Sequence, residues 1–151
     1  MEHLWSLLCQ NMLVNEVTQT ISLIEVLERI NFEVGEQPSD INLRVLPISM
    51  NLVSMWSRSE SDKPETGRAR VLIKGLDGKT IKGPTPTEYS IDAETNRGFR
   101  ANVRFNGFPF MGSGIYRVIV QLEVNNKWRN VAGLPLEIIK GLPQNLTETN
   151  P

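Results

Sequence analysis

A stretch of alternating apolar residues near the start of the chain, residues 18–34, most constrains the fold. On an extended chain Ile21 and Leu23 lie on one face, while Ile24 and Val26 lie on the other. Apolar residues on both faces in the middle of a segment, with polar ends, are typical of a strand that is buried on both sides. Residues 18–34 are therefore predicted to form a long central strand, with the other strands pairing with it or packing over it.

Several shorter segments show the same period of two residues. Residues 99–105 alternate most cleanly, because Phe99, Ala101, Val103 and Phe105 share one face. Similar segments occupy residues 43–56, 68–75, 88–94, 115–124 and 128–139, and the odd-numbered set from Ala69 and the even-numbered set from Tyr116 are predicted to face inward. Residues 3–9 are a short apolar run that is predicted to form a strand, with the start of an amphipathic helix as the alternative. Turn residues separate these segments, and no segment has a convincing helical period. The pattern predicts an all-β fold, an antiparallel β-sandwich that is Ig-like in general style, with seven to nine strands.

Individual proline and glycine residues predict where the strands are interrupted. Pro47 has no N–H to donate to a sheet, so it predicts a strand edge or a β-bulge. Asp77 and Gly78 predict a two-residue hairpin turn, because Asp-Gly accommodates the positive φ angles of such turns. Residues 106–114 contain three glycines and a proline, and are predicted to form a loop.

Length, charge and cysteine content limit the classes of protein. The 151 residues predict a single domain over residues 1–140, followed by a polar tail at 141–151. A net charge of -1 gives no global attraction to nucleic acid or to an anionic membrane. Cys9 is the only cysteine, which excludes an intramolecular disulfide. No apolar run approaches the length of a membrane span, and residues 1–10 do not resemble a secretory signal, so we expect a cytoplasmic protein without membrane contact.

Residues 7–9 (Leu-Leu-Cys), followed by residues 22–30 (Ser-Leu-Ile-Glu-Val-Leu-Glu-Arg-Ile), form a pattern with a known counterpart. The pattern resembles an uncharacterised bacterial family, a domain of unknown function, in which an apolar strand ending in Cys precedes the motif LSLIxVxxRI. Residues 103–105, 114–118 and 134–136 are also similar to that family. The resemblance implies a small β-sandwich and supplies no catalytic residue.

Cys9 and His3 are the residues that would suggest nucleophilic catalysis. On one strand they would lie roughly 20 Å apart, which prevents a cysteine nucleophile from using this histidine as its base. The favoured interpretation is a small buried apolar residue for Cys9 and a terminal surface residue for His3. No catalytic residue and no cofactor are therefore predicted.

Three carboxylates, Asp77, Asp92 and Glu94, suggest a weak candidate for an ion site. Asp92 and Glu94 share one strand face at a spacing of roughly 7 Å. With Asp40 or Asp62 from loops, they would form an oxygen-rich calcium site at one end of the sandwich. The alternative, a solvated strand face, is favoured because no Asp-x-Asp loop occurs here.

Arg100, Arg104 and Arg117 are predicted to share the outer face of one hairpin. Such a stripe of arginines would suit phosphates or an acidic partner. Aromatic residues that stack on bases are missing from that face, which argues against nucleic acid. A charged, solvated sheet face is the favoured interpretation.

Phe108, Pro109, Phe110 and Met111 form the most apolar part of the predicted loop. One alternative is that they fold back and close the open end of the sandwich, where burial would stabilise the fold by about 1.5–3 kcal/mol for each phenylalanine. The other is that they form an interface with a partner or with a second copy of the chain. The first alternative is favoured.

These observations predict a non-enzymatic binding or scaffolding module, which acts through a protein partner or through self-association. The prediction depends on a negative observation, because no acid–base pair, phosphate-binding glycine loop or cluster of metal ligands is recognisable in the sequence. Two alternatives remain. They are a ligand- or calcium-binding sandwich with carboxylates at a loop end, and a structural subunit of a bacterial or phage assembly.

Overall fold

The structure, a computed structural model, describes residues 1–33, 44–60, 63–81, 88–93 and 98–141. These ranges contain ten strands and no helix, so the predicted all-β fold is confirmed, with one strand more than expected. The strands are β1 (Glu2–Val14), β2 (Ile21–Val26), β3 (Arg29–Glu33), β4 (Arg44–Ser57), β5 (Thr66–Lys74), β6 (Thr80–Ile81), β7 (Glu88–Asp92), β8 (Gly98–Phe110), β9 (Gly114–Val124) and β10 (Lys127–Gly141). None of the described residues belongs to a helix that could span a membrane.

The strands form two packed sheets. The first sheet has the order β2-β1-β4-β8, and the second has the order β3-β10-β9-β5-β6, with β7 also paired to β5. All described pairs are antiparallel except β3 with β10, which is parallel. The strand pairs β4–β8 and β5–β9–β10 correspond to the central B–E and C–F–G pairings of an Ig-type sandwich.

The core lies between the sheets and follows the alternation of the sequence. The inward side chains of β8, which include Ala101, Val103 and Phe105, are buried as predicted. The predicted inward sets on β5 and β9 are also buried, namely Ala69, Val71, Ile73, Tyr116, Val118, Val120 and Leu122. Period-two patterning places these side chains on one face of each sheet, and burial of that face supplies most of the stabilisation.

The prediction of one long central strand at residues 18–34 is wrong. The segment forms two short strands, β2 and β3, which lie at the ends of different sheets. The chain crosses between the sheets at Leu27 and Glu28, where the Leu27 N–H donates to Leu8 in the first sheet and the Glu28 carbonyl accepts from Glu137 in the second. The apolar residues on both faces therefore do not indicate one buried strand, because Ile24 and Val26 remain exposed.

The predicted loop at residues 106–114 is also wrong over its first half, because β8 continues to Phe110. Pro47 lies in a β-bulge of β4, as predicted, at the register shift between Leu46 and Ser49. Across the ladder Gly107 has a φ of 102°, a conformation that favours glycine. The irregularity moves the inward-facing residues of β8 from odd to even numbers, so that Phe108 is completely buried.

Tyr116 joins the end of β8 to the start of β9. Its hydroxyl donates to the carbonyl of Gly112 and accepts from the N–H of Met111, each at 2.8 Å. A tyrosine at the start of this strand whose hydroxyl returns to the preceding corner is a tyrosine corner, a hallmark of Ig-type sandwiches. The side chain is fully buried, so it also fills the core at this end.

Candidate functional site

The hairpin of β1 and β2 leaves the sheet to which its base belongs. Pairing of β1 with β4 ends at Cys9, whereas pairing of β1 with β2 continues to Val14 and Ile21. We call residues 10–25, the part of the hairpin that is no longer paired with β4, the arm. At its base Asn51 donates to the Gln10 carbonyl at 2.9 Å, and Glu25 has a φ of 53°, which marks a change of direction.

A polar turn closes the tip of the arm. The Asn15 side chain accepts from the N–H groups of Val17 and Thr18, each at 3.0 Å. The Gln19 N–H donates to the Asn15 carbonyl at 2.8 Å, and Gln19 has a φ of 57°. Asparagine is suited to this position because its short side chain bonds to the backbone two and three residues further on. The tip is therefore a defined turn.

The tip of the arm lies beside the start of β8. The Arg100 guanidinium donates to the Gln19 carbonyl at 2.8 Å. Because β4 lies between β1 and β8 in the sheet, this contact requires the arm to leave the plane of the sheet and pass over β4. Cys9 and Val53 are completely buried although they lie outside the core cluster, which fits a covered outer face.

A groove of about 320 Å³ separates the arm from β8. Met12 and Val14 line it from the arm, and residues 98–102 line it from β8. Its size is at the lower end of the range for ligand sites, about 300–1,000 Å³. The groove has both apolar and charged walls, and we take it as the candidate site.

The arm presents apolar side chains to solvent. Val17 at the tip is 92% exposed and Leu13 is 58% exposed, while Val14 is 45% and Ile24 is 38% exposed. Covering one such side chain completely would contribute about 1.5–3 kcal/mol. Single exposed apolar residues are ordinary, but a group of them on one projecting hairpin is typical of a contact surface.

Two of the three predicted basic-face residues lie together. Arg100 and Arg104 project from β8 on the side away from the core, because they alternate with the buried Ala101 and Val103. Neither forms an ion pair among the described residues. The prediction that Arg117 shares this face is wrong, because Arg117 is on β9 in the other sheet. Consecutive strands joined by a short turn resemble a hairpin in sequence, but here the chain changes sheets between them.

The predicted carboxylate cluster does not form among the described residues. Asp92 lies opposite Thr66 at the start of β5, whereas Asp77 follows the end of that strand. Nine residues of strand separate the two by roughly 25 Å, so they cannot bind one ion. Glu94 lies outside the described residues, as do Asp40 and Asp62. No group of three metal-ligating side chains occurs within the described ranges.

Asp77 has a local role in the turn between β5 and β6. Its carboxylate accepts from the Lys79 N–H at 2.9 Å, and Gly78 has a φ of 74°. The turn lies where it was predicted, but its length was wrong. Because the Gly75 N–H donates to the Lys79 carbonyl at 2.9 Å, three residues rather than two form the loop.

The proposed apolar interface at residues 108–111 is mostly interior. Phe108 is 0% exposed and packs edge-on against Tyr116, with ring centroids 5.6 Å apart. Pro109 is buried, and Phe110 packs edge-on against Phe32 at 4.8 Å. Only Met111 is exposed. The side chains of this segment therefore close the end of the sandwich, which is the first of the two alternatives.

Cys9 and His3 are not neighbours, in agreement with their spacing on one strand. Cys9 lies opposite Asn51 and His3 lies opposite Trp56. Burial raises the pKa of the Cys9 thiol, which keeps it protonated and weakly nucleophilic. His3 is not the surface residue that was predicted, because it is half-buried against the ring of Trp56 at 4.9 Å.

A polar cluster beside His3 was not recognised in the sequence. His3 Nε2 lies 2.7 Å from the Ser6 hydroxyl, which donates to the Ser54 hydroxyl at 2.8 Å. With the Ser6 hydrogen directed to Ser54, the Ser6 oxygen accepts from the Nε2–H tautomer of His3. Both serines are buried. No periodic signal marks them, since serines occur on exposed and buried faces alike.

Two further polar groups, the hydroxyl of Tyr89 and the indole N–H of Trp56, lie beside this cluster. The hydroxyl of Tyr89 lies next to the side chains of Ser54 and Trp56. Among the described residues, neither that hydroxyl nor the indole N–H of Trp56 makes a hydrogen bond of ordinary geometry. Burial raises the pKa of Tyr89, so the phenol stays neutral. The cluster is therefore a mostly buried polar network between β1, β4 and β7.

His3 makes the stability of the protein depend on pH. Burial lowers the pKa of His3 below its ordinary value of 6.5. The unfolded chain therefore takes up the proton at a higher pH than the folded chain, and the free energy of unfolding should decrease as pH falls from 6.5 toward the lowered pKa. Chemical denaturation between about pH 5 and pH 7 measures this slope.

The variant His3→Gln provides the control, because His3 is the only histidine in the chain. We expect the variant to lose part of the slope that the wild type shows across this interval. Equal slopes for the two proteins would contradict a buried neutral imidazole.

A second unpredicted cluster covers the outer face of the other sheet. The guanidinium of Arg70 stacks over the Trp128 ring at 4.3 Å and donates to Gln121 at 2.6 Å. Arg68 forms ion pairs with Glu88 at 2.5 Å and with Glu123 at 3.1 Å. Arg68 is paired with two carboxylates and the Arg70 guanidinium is covered by the Trp128 ring, so this cluster stabilises the solvated face of the sheet.

The two packed sheets and the arm together define the class as an all-β sandwich with a hairpin that crosses the outer face of one sheet. Comparisons with family models, with curated proteins and with solved structures returned no match. The resemblance of residues 7–9 and 22–30 to an uncharacterised bacterial family consequently stays a prediction.

Proposed function

We propose that this chain is a non-enzymatic protein-binding module, and that the arm with the adjoining groove is its contact surface. The observation that carries the proposal is the group of exposed apolar side chains on the arm, of which Leu13 and Val17 are the most exposed. The arm is held against the body through Arg100, so a partner would meet a preformed surface. A surface of this kind binds partners with little loss of conformational entropy.

Selection from a displayed library of random peptides tests the proposal. We expect immobilised wild-type protein to enrich peptides, and the double variant Leu13→Ser, Val17→Ser to lose that enrichment. The matched control is Ile115→Ser, because Ile115 is 57% exposed on a different sheet. All three proteins should melt at similar temperatures, since surface substitutions change stability by only about 0.5 kcal/mol.

Sedimentation equilibrium of the same proteins extends the test to self-association. If the wild type associates and the arm variant does not, the partner is a second copy of the chain. That result would also support the alternative function of a structural subunit in an assembly. Enrichment that is equal for wild type and arm variant contradicts the proposal. A wild type that enriches no peptide and stays monomeric at every concentration contradicts it as well.

A further inference from the structure

The free edge of β8 forms one wall of the groove. In the described part of the chain, β8 pairs with β4 on one side only and ends the order of its sheet. The opposite side of such a strand presents backbone N–H and C=O groups, which can pair with another extended segment. Addition of a peptide strand to an exposed sheet edge is a common mode of peptide recognition.

The residues that line the groove indicate that it follows this edge. From β8 it is lined by five consecutive residues, 98–102. Side chains of consecutive residues point to opposite faces of a sheet, so a site on either face would be lined by alternate residues. The arm contributes alternate residues to the lining of the groove, namely Met12 and Val14. The groove therefore has a backbone edge on one wall and one apolar face of the arm on the other.

The charge along β8 identifies the chemistry of the occupant. Arg100 and Arg104 project from the same side of the strand, roughly 13 Å apart. Arg100 uses one N–H on the neutral carbonyl of Gln19, and no carboxylate among the described residues pairs with its charge. The neighbouring outward residues of β4, Asn51, Val53 and Met55, carry no charge. With a net charge of only -1 on the whole chain, these two guanidinium groups form a local basic site.

We propose that the groove binds an extended acidic peptide segment, which adds as a strand to the free edge of β8. Carboxylates four residues apart on the peptide have the spacing of Arg100 and Arg104, and apolar side chains between them contact Met12 and Val14. The inference depends on the proposed function, since it names the partner class of that protein-binding surface. Nucleic acid fits less well, because the outward residues of β8 include no aromatic side chain for base stacking.

A labelled decapeptide tests the proposal by fluorescence anisotropy with the full chain. The probe alternates valine and threonine and carries two glutamates four residues apart, and its counterpart has glutamine at both positions. We expect the glutamate peptide to bind about tenfold more tightly than the glutamine peptide at low salt, and this advantage to shrink as salt is added.

Protein variants locate the peptide. We expect Arg104→Gln to weaken binding of the glutamate peptide several-fold and to leave binding of the glutamine peptide unchanged. Arg104 is the better choice, since Arg100 also holds the tip of the arm. The matched control is Arg117→Gln, which removes the same charge from an exposed position on the other sheet. Equal effects of the two substitutions would overturn the proposal, because a general charge effect would explain them.

Backbone methylation of the peptide tests strand addition itself. N-methyl groups on one set of alternate amides should abolish binding, since these amides would face β8. N-methyl groups on the other set should leave binding nearly unchanged. Binding that tolerates both sets overturns the proposal, as does tighter binding of a single-stranded oligothymidylate than of the glutamate peptide.

The two proposals can fail separately. If the library enriches peptides on the wild type but not on the arm variant, while the glutamate peptide does not bind, then the acidic strand is wrong and the binding module stands. If the library enriches nothing, the protein stays monomeric and the glutamate peptide does not bind, both are wrong.

Discussion

Replacement of Phe108 by alanine is expected to lower the free energy of unfolding by about 3–5 kcal/mol. Phe108 is completely buried, packs edge-on against Tyr116 and lies opposite Leu46 in the ladder. Truncation loses the transfer free energy of the ring and leaves a cavity, because the flanking strands cannot close the space without breaking their pairing. Denaturation by urea, followed through tryptophan fluorescence, measures the loss.

Met111→Ala is the matched control for this experiment. Met111 lies three residues further along the same segment but is 50% exposed, so its truncation should change stability by about 0.5 kcal/mol or less. The pair separates a core role of the segment from an interface role. A Phe108→Ala protein that is as stable as the wild type, but impaired in association, would show that the segment acts as an interface.

Tyr116→Phe should have the next largest effect, a loss of about 1–3 kcal/mol. The substitution keeps the ring and removes only the hydroxyl, so the core remains filled. The Met111 N–H loses its acceptor and the Gly112 carbonyl loses its donor. An N–H that is removed from water and has no partner carries its full desolvation cost, which exceeds the net gain from an ordinary hydrogen bond.

Tyr89→Phe is a control of the same chemistry. The Tyr89 hydroxyl is buried but makes no hydrogen bond of ordinary geometry among the described residues. Its removal should therefore leave stability nearly unchanged or raise it slightly. Thermal melting and urea denaturation of both variants measure the contrast. Equal losses for Tyr89→Phe and Tyr116→Phe would contradict a special role for the tyrosine corner.

Much of the fold could be predicted because alternation is a local property. The predicted inward positions are correct along β5 and β9, and along β8 as far as Phe105, since a side chain two residues from a buried one points to the same side. The prediction fails at Gly107, where the irregularity moves the pattern by one residue. Asn106, Gly107 and Pro109 are typical of a loop, and only the pairing with β4 shows that the strand continues.

Residues 18–34 illustrate a different limit. Their apolar residues on both faces suggested burial on both sides, but Leu27 and Ile30 pack against the core while Ile24 and Val26 remain exposed on the other side of the crossover. Alternation within a segment does not indicate whether the segment stays in one sheet. The crossover depends on hydrogen bonds to two different sheets, since the Leu27 N–H donates to Leu8 on β1 and the Glu28 carbonyl accepts from Glu137 on β10.

The candidate site was predicted only in part. Arg100, Arg104 and Arg117 were predicted to share one basic face, and the structure places the first two on the edge strand beside the groove. Arg117 was grouped with them because β8 and β9 are consecutive, although the chain changes sheets between them. The arm was missed altogether, since a hairpin that leaves its sheet has the same alternation as one that stays in it.

The sequence by itself determined where most of the strands lie and, along several of them, which side chains are buried. These properties depend on the period of two residues and on local turn chemistry. Only the tertiary structure decided which sheet each strand joins, where the arm crosses the sheet and which strand ends each sheet in the described part of the chain. Those features depend on backbone pairing and packing between distant segments, and a backbone that pairs through the same N–H and C=O groups at every residue carries no local signal for its partner.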